Sequence, residues 1–181
     1  LDDPLRILRC FRFMAELNFQ IDPSLFDFID HNKSKLSLIS EERIQYELRK
    51  IIRGKYAKES ILLINKINLF KWVQKYEYSS LEFIKNINIK NFYVDEIQNC
   101  LCITFLIEIL NEFSIKKLKF SKSEILKASS LTKWKNKLLH KSINNFSELE
   151  RFQLHKELED FLPAFILYLP ENEQLLWLKR W

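Results

Sequence analysis

Apolar residues recur at intervals of three and four along most of the chain, the spacing that places them on one face of an α-helix. The first segment shows the pattern at Leu5, Leu8, Phe11 and Ala15. No segment alternates apolar and polar residues convincingly, as a half-buried strand would. The pattern predicts an all-α protein made of helical bundles, with helices near residues 4–18, 23–33, 40–53, 56–76, 79–87, 91–113, 121–141 and 147–169 and a last one from 171.

Polar residues that can cap a helix stand where most of these segments begin. Asp3 and Asp22 each precede a proline, whose missing N–H costs nothing at the first helical position. Ser40 precedes two glutamates, which suit the positive end of a helix. Three pairs have the spacing of a capping box: Ser79 with Glu82, Ser121 with Glu124, and Ser147 with Glu150.

The composition excludes several classes of nucleotide-binding fold. The 181 residues include one glycine and four prolines, so the chain has no glycine-rich loop that could cradle a phosphate. The most apolar stretch, residues 97–110, is shorter than the roughly 20 residues that a membrane span needs. It also contains Glu108, so we expect a buried helix and no membrane partner.

The cysteines and histidines do not have the spacing of a metal site. The cysteines lie in apolar runs and the histidines are scattered, at Cys10, Cys100, Cys102, His31, His140 and His155. We therefore expect buried free thiols and no bound zinc. Free thiols, and a sequence without a secretory leader pattern, favour a cytoplasmic protein.

Charge and the single glycine suggest a division of the chain. Gly54 follows a helix with a basic last turn, as a C-cap glycine would, and it separates a predicted domain of residues 1–54 from a lysine-rich body of residues 55–181. Residues 116–141 hold nine lysines against one glutamate, although the whole chain carries a net charge of only +5. Lys133, Lys137 and Lys141 share a helical face there and are candidate RNA contacts, but an ordinary solvated face is an equally good interpretation.

Four charged residues at helical spacing begin the chain: Asp3, Arg6, Arg9 and Arg12. We expect them to climb one side of the first helix. Taken singly, Asp3 is an ordinary helix cap and Arg6 an ordinary surface ion-pair donor. Together, a carboxylate and a guanidinium one turn apart can read a base edge: the carboxylate accepts from the exocyclic amine of cytosine or adenine, and the guanidinium donates to the neighbouring ring nitrogen or carbonyl. Guanine and uracil present the opposite pattern.

Three stretches carry a resemblance to a known family: DDPLRILRCFRFMAELNF at 2–19, IDPSL at 21–25 and LISEERIQYELRKII at 38–52. They resemble the neck region of the class II tRNA nucleotidyltransferases, which comprise the CCA-adding enzymes and bacterial poly(A) polymerases. In that family, two acids and an arginine template the incoming nucleotide, and the resemblance places them at Asp2, Asp3 and Arg6. Asp2 departs from the glutamate that many members carry.

The resemblance also implies roles for the residues around this motif. We expect Arg9 to be a further nucleotide-binding residue and Arg12 a supporting one, with the row of arginines serving either the triphosphate or helix packing. In the family the next motif supports the templating helix, and here it includes Arg43 and Glu47, which lie one helical turn apart and can brace the first helix by hydrogen bonds. The alternative for this pair is an ordinary i,i+4 ion pair on a solvated face.

The function that the resemblance implies needs parts that these residues do not supply. Nucleotidyl transfer uses metal-bound carboxylates, and in the family these lie in a strand-rich head that precedes the neck. We therefore expect Mg²⁺ to bind only in such a head. We expect these residues to form a fragment of an RNA nucleotidyltransferase that is inactive alone, selects CTP and ATP, and binds RNA. The expected RNA substrate is the 3′ end of tRNA. The alternatives are a non-catalytic helical module that binds RNA or a protein, and a purely structural helical bundle.

Overall fold

The computed structural model describes residues 3–73, 81–87 and 94–179, and all of the regular elements within these ranges are helical. The all-α prediction is therefore confirmed. The α-helices are α1 (Leu5–Leu17), α2 (Pro23–Asn32), α3 (Glu41–Arg53), α4 (Ala57–Lys66), α5 (Leu81–Asn86), α6 (Val94–Ile109), α7 (Glu112–Lys117), α8 (Lys122–Leu138), α9 (Glu148–Leu158), α10 (Leu162–Ile166) and α11 (Glu171–Leu178). Short 3₁₀ helices cover Lys33–Leu38, Ile143–Asn145 and Glu159–Phe161.

The helix starts agree with most of the capping signals. Asp22 Oδ1 accepts a hydrogen bond from the Ser24 N–H, with Pro23 at the first helical position of α2. Two of the predicted capping boxes lie within the described residues and both are formed, at the start of α8 and at the start of α9. Ser40 occupies the N-cap position of α3, but its side chain makes no capping hydrogen bond. The predicted Ser79 pair lies outside the described residues.

Three helices are shorter than their apolar patterns predict. The helix expected over 91–113 ends at Ile109, because the Asn111 side chain accepts from the Ser114 N–H and starts α7. The helix expected over 147–169 breaks after α9, where Glu159 adopts a left-handed conformation and Pro163 opens α10. The helix expected over 56–76 ends at Lys66, and Asn68 is again left-handed. Asparagine tolerates this conformation better than most residues.

Backbone contacts divide the chain into two compact units. The first comprises residues 1–85 and 108–120, and the second comprises residues 86–107 and 121–181. The sequence suggested a different division, at Gly54, but α4 follows Gly54 and packs against α1 and α3 within the first unit. The assignment of separate functions to residues 1–54 and 55–181 stays a prediction.

The core of the first unit lies between α1, α3 and α4. The apolar face of α1 supplies Leu8 and Phe11, and α3 supplies Ile44 and Leu48, all of them fully buried. Each such side chain contributes roughly 1.5–3 kcal/mol when it leaves water. The buried hydroxyl of Ser60 in α4 donates to the Phe11 carbonyl at 2.9 Å. The amphipathic pattern therefore holds α1 and α3 side by side.

The core of the second unit is built on α8, α9 and α10. Trp134 of α8 is fully buried beside Phe146, and its indole N–H donates to the Glu157 carboxylate at 2.9 Å. Leu154 and Leu158 of α9 are also buried. Trp134 is thus a core residue, and its polar edge is satisfied by a hydrogen bond.

The apolar stretch at 97–110 forms most of α6 and is largely buried, with Glu108 fully inaccessible. In the part of the chain that the structure describes, no helix has both the length and the apolar character that crossing a bilayer requires. The expectation of a buried helix is confirmed for this stretch.

Gly54 is required by close packing rather than by an unusual backbone conformation. It lies at the C-cap of α3, as predicted, but its φ of −63° is one that any residue adopts. A Cβ placed on Gly54 would lie 2.5 Å from the Ala15 carbonyl oxygen and 2.7 Å from the Ala15 carbonyl carbon. The same carbonyl accepts a hydrogen bond from the Tyr56 N–H at 2.8 Å. Glycine therefore lets the end of α1 approach the α3–α4 connection.

We predict that Gly54→Ala destabilises the protein by about 1–3 kcal/mol, because the added methyl group overlaps backbone atoms that cannot rotate away. Urea unfolding followed by circular dichroism measures the change. Lys55→Ala, at the exposed neighbouring position, is the control and should leave the unfolding midpoint nearly unchanged. Equal midpoints for the two variants would show that the contact between Gly54 and Ala15 is not tight.

Candidate functional site

Asp3 connects the start of α1 to α3. Its Oδ1 accepts a hydrogen bond from the Leu5 N–H at 3.1 Å, although Pro4, and not Asp3 as predicted, occupies the N-cap position of α1. Its Oδ2 accepts from Arg43 Nη2 of α3 at 3.3 Å. The side chain remains 30% exposed, and a carboxylate has about four lone-pair positions. Asp3 is therefore oriented by two partners and can still accept a hydrogen bond from a ligand.

The arginines of α1 do not share one face of the helix. Three residues fall short of the 3.6-residue helical turn, so each arginine is rotated by about 60° from the one before. The side chain of Arg6 is exposed and makes no hydrogen bond or ion pair with the described residues. The exposed fraction of the side chain falls from 44% at Arg9 to 16% at Arg12. The expectation that all of them climb one side of the helix is therefore wrong.

Glu47 of α3 is the buried partner of the inner arginines. Its carboxylate lies 2.9 Å from Arg12 Nη1 and 3.6 Å from Arg9 Nε, while its side chain is only 3% exposed. A buried carboxylate is tolerated when cations and hydrogen bonds replace its water. Together with the contact between Arg43 and Asp3, this ion pair joins α3 to α1 and to the residue before it. Both candidate supporting residues of α3 thus contact α1 or its cap, and their role in nucleotide selection stays a prediction.

A cavity of about 280 Å³ lies between α1 and α3 beside these ion pairs. Its lining comprises Leu5, Arg9, Glu42, Arg43, Tyr46 and Glu47. The volume is at the small end of the range for ligand pockets. Two cations and two carboxylates balance the charge, and Leu5 and Tyr46 supply apolar surface. Such a cavity suits a small, neutral, flat ligand with both donors and acceptors at its edge.

The outer side of α3 carries a contact that the sequence pattern did not reveal. Lys119 Nζ donates to Glu42 at 2.5 Å, and the Gln45 side chain donates to the Lys119 carbonyl at 2.6 Å. The hydrogen bond from Lys119 lowers the pKa of Glu42, and the same pairing raises the pKa of Lys119. Residues 118–120 thus help to hold the cavity wall, from a position too distant in sequence for helical periodicity to indicate.

The remaining predicted nucleotide-binding residue is Asp2, which lies outside the described residues. Among the residues that the structure does describe, no group of three or more histidine, cysteine, aspartate or glutamate side chains is arranged to hold a metal ion.

The candidate RNA-binding lysines, two in α8 and one just after it, form ion pairs with α9. Lys133 Nζ lies 2.7 Å from a Glu157 carboxylate oxygen, and Lys137 and Lys141 each lie 2.8 Å from Glu150. These pairs link two helices of the second unit and neutralise part of the lysine charge. Contact of the lysines with RNA stays a prediction, while their observed partners are the two glutamates, which sequence analysis did not connect with them.

The chain is similar to known proteins over parts of its length. Residues 18–76 match a family described as the probable RNA- and SrmB-binding site of polymerase A. The CCA-adding enzyme of Staphylococcus haemolyticus (strain JCSC1435) is 39% identical over 72 residues, which cover 40% of this chain and 18% of that enzyme. The CCA-adding enzyme of Staphylococcus aureus (strain Newman) is 25% identical over 129 residues, which cover 68% of this chain and 30% of that enzyme. The chain thus spans less than a third of these relatives.

The fold is also similar to a solved structure. A CCA-adding enzyme in complex with ATP superposes with a TM-score of 0.71 and 19% sequence identity, covering 99% of this chain and 46% of that one. At this level of identity the comparison establishes the fold alone.

We predict that Glu47→Ala lowers the free energy of unfolding by about 2–4 kcal/mol, because Arg12 would be left largely buried without its main carboxylate partner. The loss of stability should be smaller than for a fully buried ion pair, because Arg9 is half exposed and Arg12 also lies 3.7 Å from Glu16. Urea unfolding is the measurement. Asp27→Ala, on an exposed face of α2, is the control, and a Glu47 variant as stable as this control would contradict the account.

We predict a pH-dependent effect for Glu150→Gln. Hydrogen bonds from Lys137 and Lys141 hold the pKa of Glu150 well below the usual value of 4.5. A folded-state pKa below the unfolded one stabilises the protein above about pH 4.5, and this contribution is lost as pH falls toward the folded-state pKa. The variant should therefore be less stable than the parent at pH 7, and the difference should shrink by pH 3.

Urea unfolding at both pH values tests this prediction, with Glu148→Gln as a control at an exposed first-turn position of the same helix. A stability difference for Glu150→Gln that is the same at pH 7 and pH 3 would mean that its carboxylate charge is not what links α8 to α9.

Proposed function

Because the chain belongs to the class II tRNA nucleotidyltransferase family, we propose that it is the helical neck and body of an RNA nucleotidyltransferase of the CCA-adding or poly(A) polymerase type. In this proposal its first unit selects CTP and ATP and the chain binds RNA, with the 3′ end of tRNA as substrate. The observation that carries the proposal is the Asp3 carboxylate, which Arg43 holds beside the cavity while Arg6 remains exposed one turn along.

Base selection follows from the hydrogen-bonding groups of these two residues. Asp3 accepts from the exocyclic amine of cytosine or adenine through the lone pairs that Leu5 and Arg43 do not use. Arg6 donates to the adjacent ring nitrogen or carbonyl. Guanine and uracil would place a carbonyl oxygen against the Asp3 carboxylate, and such a mismatch costs about 1–3 kcal/mol.

The ion pairs behind the cavity support this selection by fixing its geometry. Arg43 fixes the orientation of Asp3, and Glu47 fixes the separation of α1 and α3 through Arg9 and Arg12. Residues held in this way discriminate between ligands because they need no rearrangement on binding. The balanced charge of the cavity suits a nucleobase edge better than a triphosphate.

The transfer reaction itself is assigned to a part of the enzyme outside this chain. The 3′-hydroxyl oxygen of the RNA bonds to the α-phosphorus of the nucleotide, pyrophosphate leaves, and the hydroxyl proton passes to a base outside this chain. The charge stabilisation that this step requires would come from Mg²⁺ held by carboxylates of a head domain, and none of the described residues would hold that ion. The chain alone is therefore expected to add no nucleotide to tRNA that lacks its CCA end.

A second candidate is a helical module that binds RNA without catalysing any reaction. The match of residues 18–76 to a probable RNA-binding site favours it, because that match involves no catalytic head. The coding sequence upstream of Leu1 discriminates between the two. Head-domain motifs in frame would support the nucleotidyltransferase, and a start codon next to Leu1 would support the module.

We predict that Arg6→Ala in the full-length enzyme reduces the preference for CTP and ATP over GTP and UTP by about 5- to 100-fold, since one of the two base-reading groups is lost. Single-nucleotide incorporation into tRNA measures the four values of kcat/KM. Lys66→Ala, which removes another exposed cation of the same unit, is the control. Unchanged selectivity in the Arg6 variant would refute the assignment of Arg6.

A further inference from the structure

The exposed face of α3 carries an aromatic residue between two cations. Arg43, Tyr46 and Lys50 are spaced three and four residues apart, so they follow one another along the same side of the helix. Arg43 and Tyr46 line the cavity, and Lys50 lies one turn farther along α3. Tyr46 is 56% exposed, although a tyrosine ring usually buries most of its apolar surface.

Lys50 holds a positive charge against this ring. Its Nζ lies 4.5 Å from the centroid of Tyr46, within the range of a cation–π interaction. No carboxylate pairs with Lys50 among the described residues, whereas Lys133, Lys137 and Lys141 are each paired with a glutamate. The charge of Lys50 is therefore available to a phosphate, whereas the charges of Lys133, Lys137 and Lys141 are already balanced by glutamates.

We propose that Tyr46 and Lys50 form a platform for single-stranded RNA, on which the last unpaired base of the RNA stacks while Lys50 contacts its phosphate. This inference rests on the proposed function, because it places the RNA end at the mouth of the cavity that receives the incoming base. Aromatic rings beside cations are the usual means by which proteins hold single strands without reading their sequence.

The position of the platform favours the RNA end over the incoming nucleotide as the stacked partner. Asp3 contacts Arg43, which stands at one end of the row formed by Arg43, Tyr46 and Lys50 along α3. Lys50 stands at the other end of this row. The incoming base must present its hydrogen-bonding edge to Asp3 and Arg6. A base on the Tyr46 ring lies next to that position, as the RNA end must when its 3′-hydroxyl is to join the incoming nucleotide.

RNA binding by the 181-residue chain tests the platform. A fluorescently labelled single-stranded RNA ending in CC is titrated with the parent chain, Tyr46→Ala, Tyr46→Leu and Tyr46→Phe. Loss of stacking should weaken binding by about 5- to 100-fold in the alanine and leucine variants, while the phenylalanine variant should bind like the parent. Phe152→Ala, which removes an equally exposed aromatic residue, should leave RNA binding unchanged.

The salt dependence of binding tests the phosphate contact. Lys50→Ala should reduce the slope of log K against log salt concentration by about 0.7, the value for one phosphate contact to a single strand. Circular dichroism of each variant checks that it is folded. Equal RNA affinity for Tyr46→Ala and the parent chain, with both folded, would overturn the proposal.

Kinetics of the full-length enzyme separates this proposal from the function on which it rests. Tyr46→Ala should raise KM for the RNA by about 5- to 100-fold, and this rise should exceed any change in KM for the nucleotide. A rise in KM for the nucleotide with KM for the RNA unchanged would overturn the platform, because the ring would then serve the incoming base. Failure of the base-selection hypothesis would appear instead as unchanged selectivity in Arg6→Ala.

Discussion

The buried carboxylate of Glu47 is the constraint on which the geometry of the candidate site depends. A carboxylate leaves water only if cations and donors replace its hydration, and α1 supplies two guanidinium groups for this purpose. Because Arg9 and Arg12 are fixed along α1, their contacts with Glu47 set both the distance and the register between α1 and α3. That register in turn brings Arg43 to Asp3 and leaves the cavity between the two helices.

The charged residues of the first unit divide into two groups according to their partners. Arg12 is paired with Glu47, and Lys119 is paired with Glu42, so the charges of this group are balanced within the fold. Arg6 and Lys50 have no carboxylate partner among the described residues. The proposed recognition of base and RNA uses the second group, while the first keeps it in place.

Local signals in the sequence predicted the helical class and many of the helix starts, because a cap such as Asp22 or a capping box acts within one turn. They failed where a competing local signal interrupted a long apolar pattern, as Asn111 and Pro163 do. The family resemblance pointed to Arg43 and Glu47, which contact Asp3 and Arg12 in the structure, while their role in nucleotide selection stays a prediction. The sequence did not predict the glutamate partners of Lys133, Lys137 and Lys141, the contact of Lys119 with Glu42, or the steric reason for Gly54. Each of these depends on residues that only the fold brings together.

The central claim is that the edge of the incoming base meets Asp3 and Arg6 within the frame that Glu47 maintains. A crystal structure of the full-length enzyme with CTP and an RNA primer tests this most directly. The account predicts that the N4 amine of the incoming cytosine lies about 3 Å from the Asp3 carboxylate and that the Arg6 guanidinium lies at the same range from the base. A cytosine bound away from both side chains would contradict it.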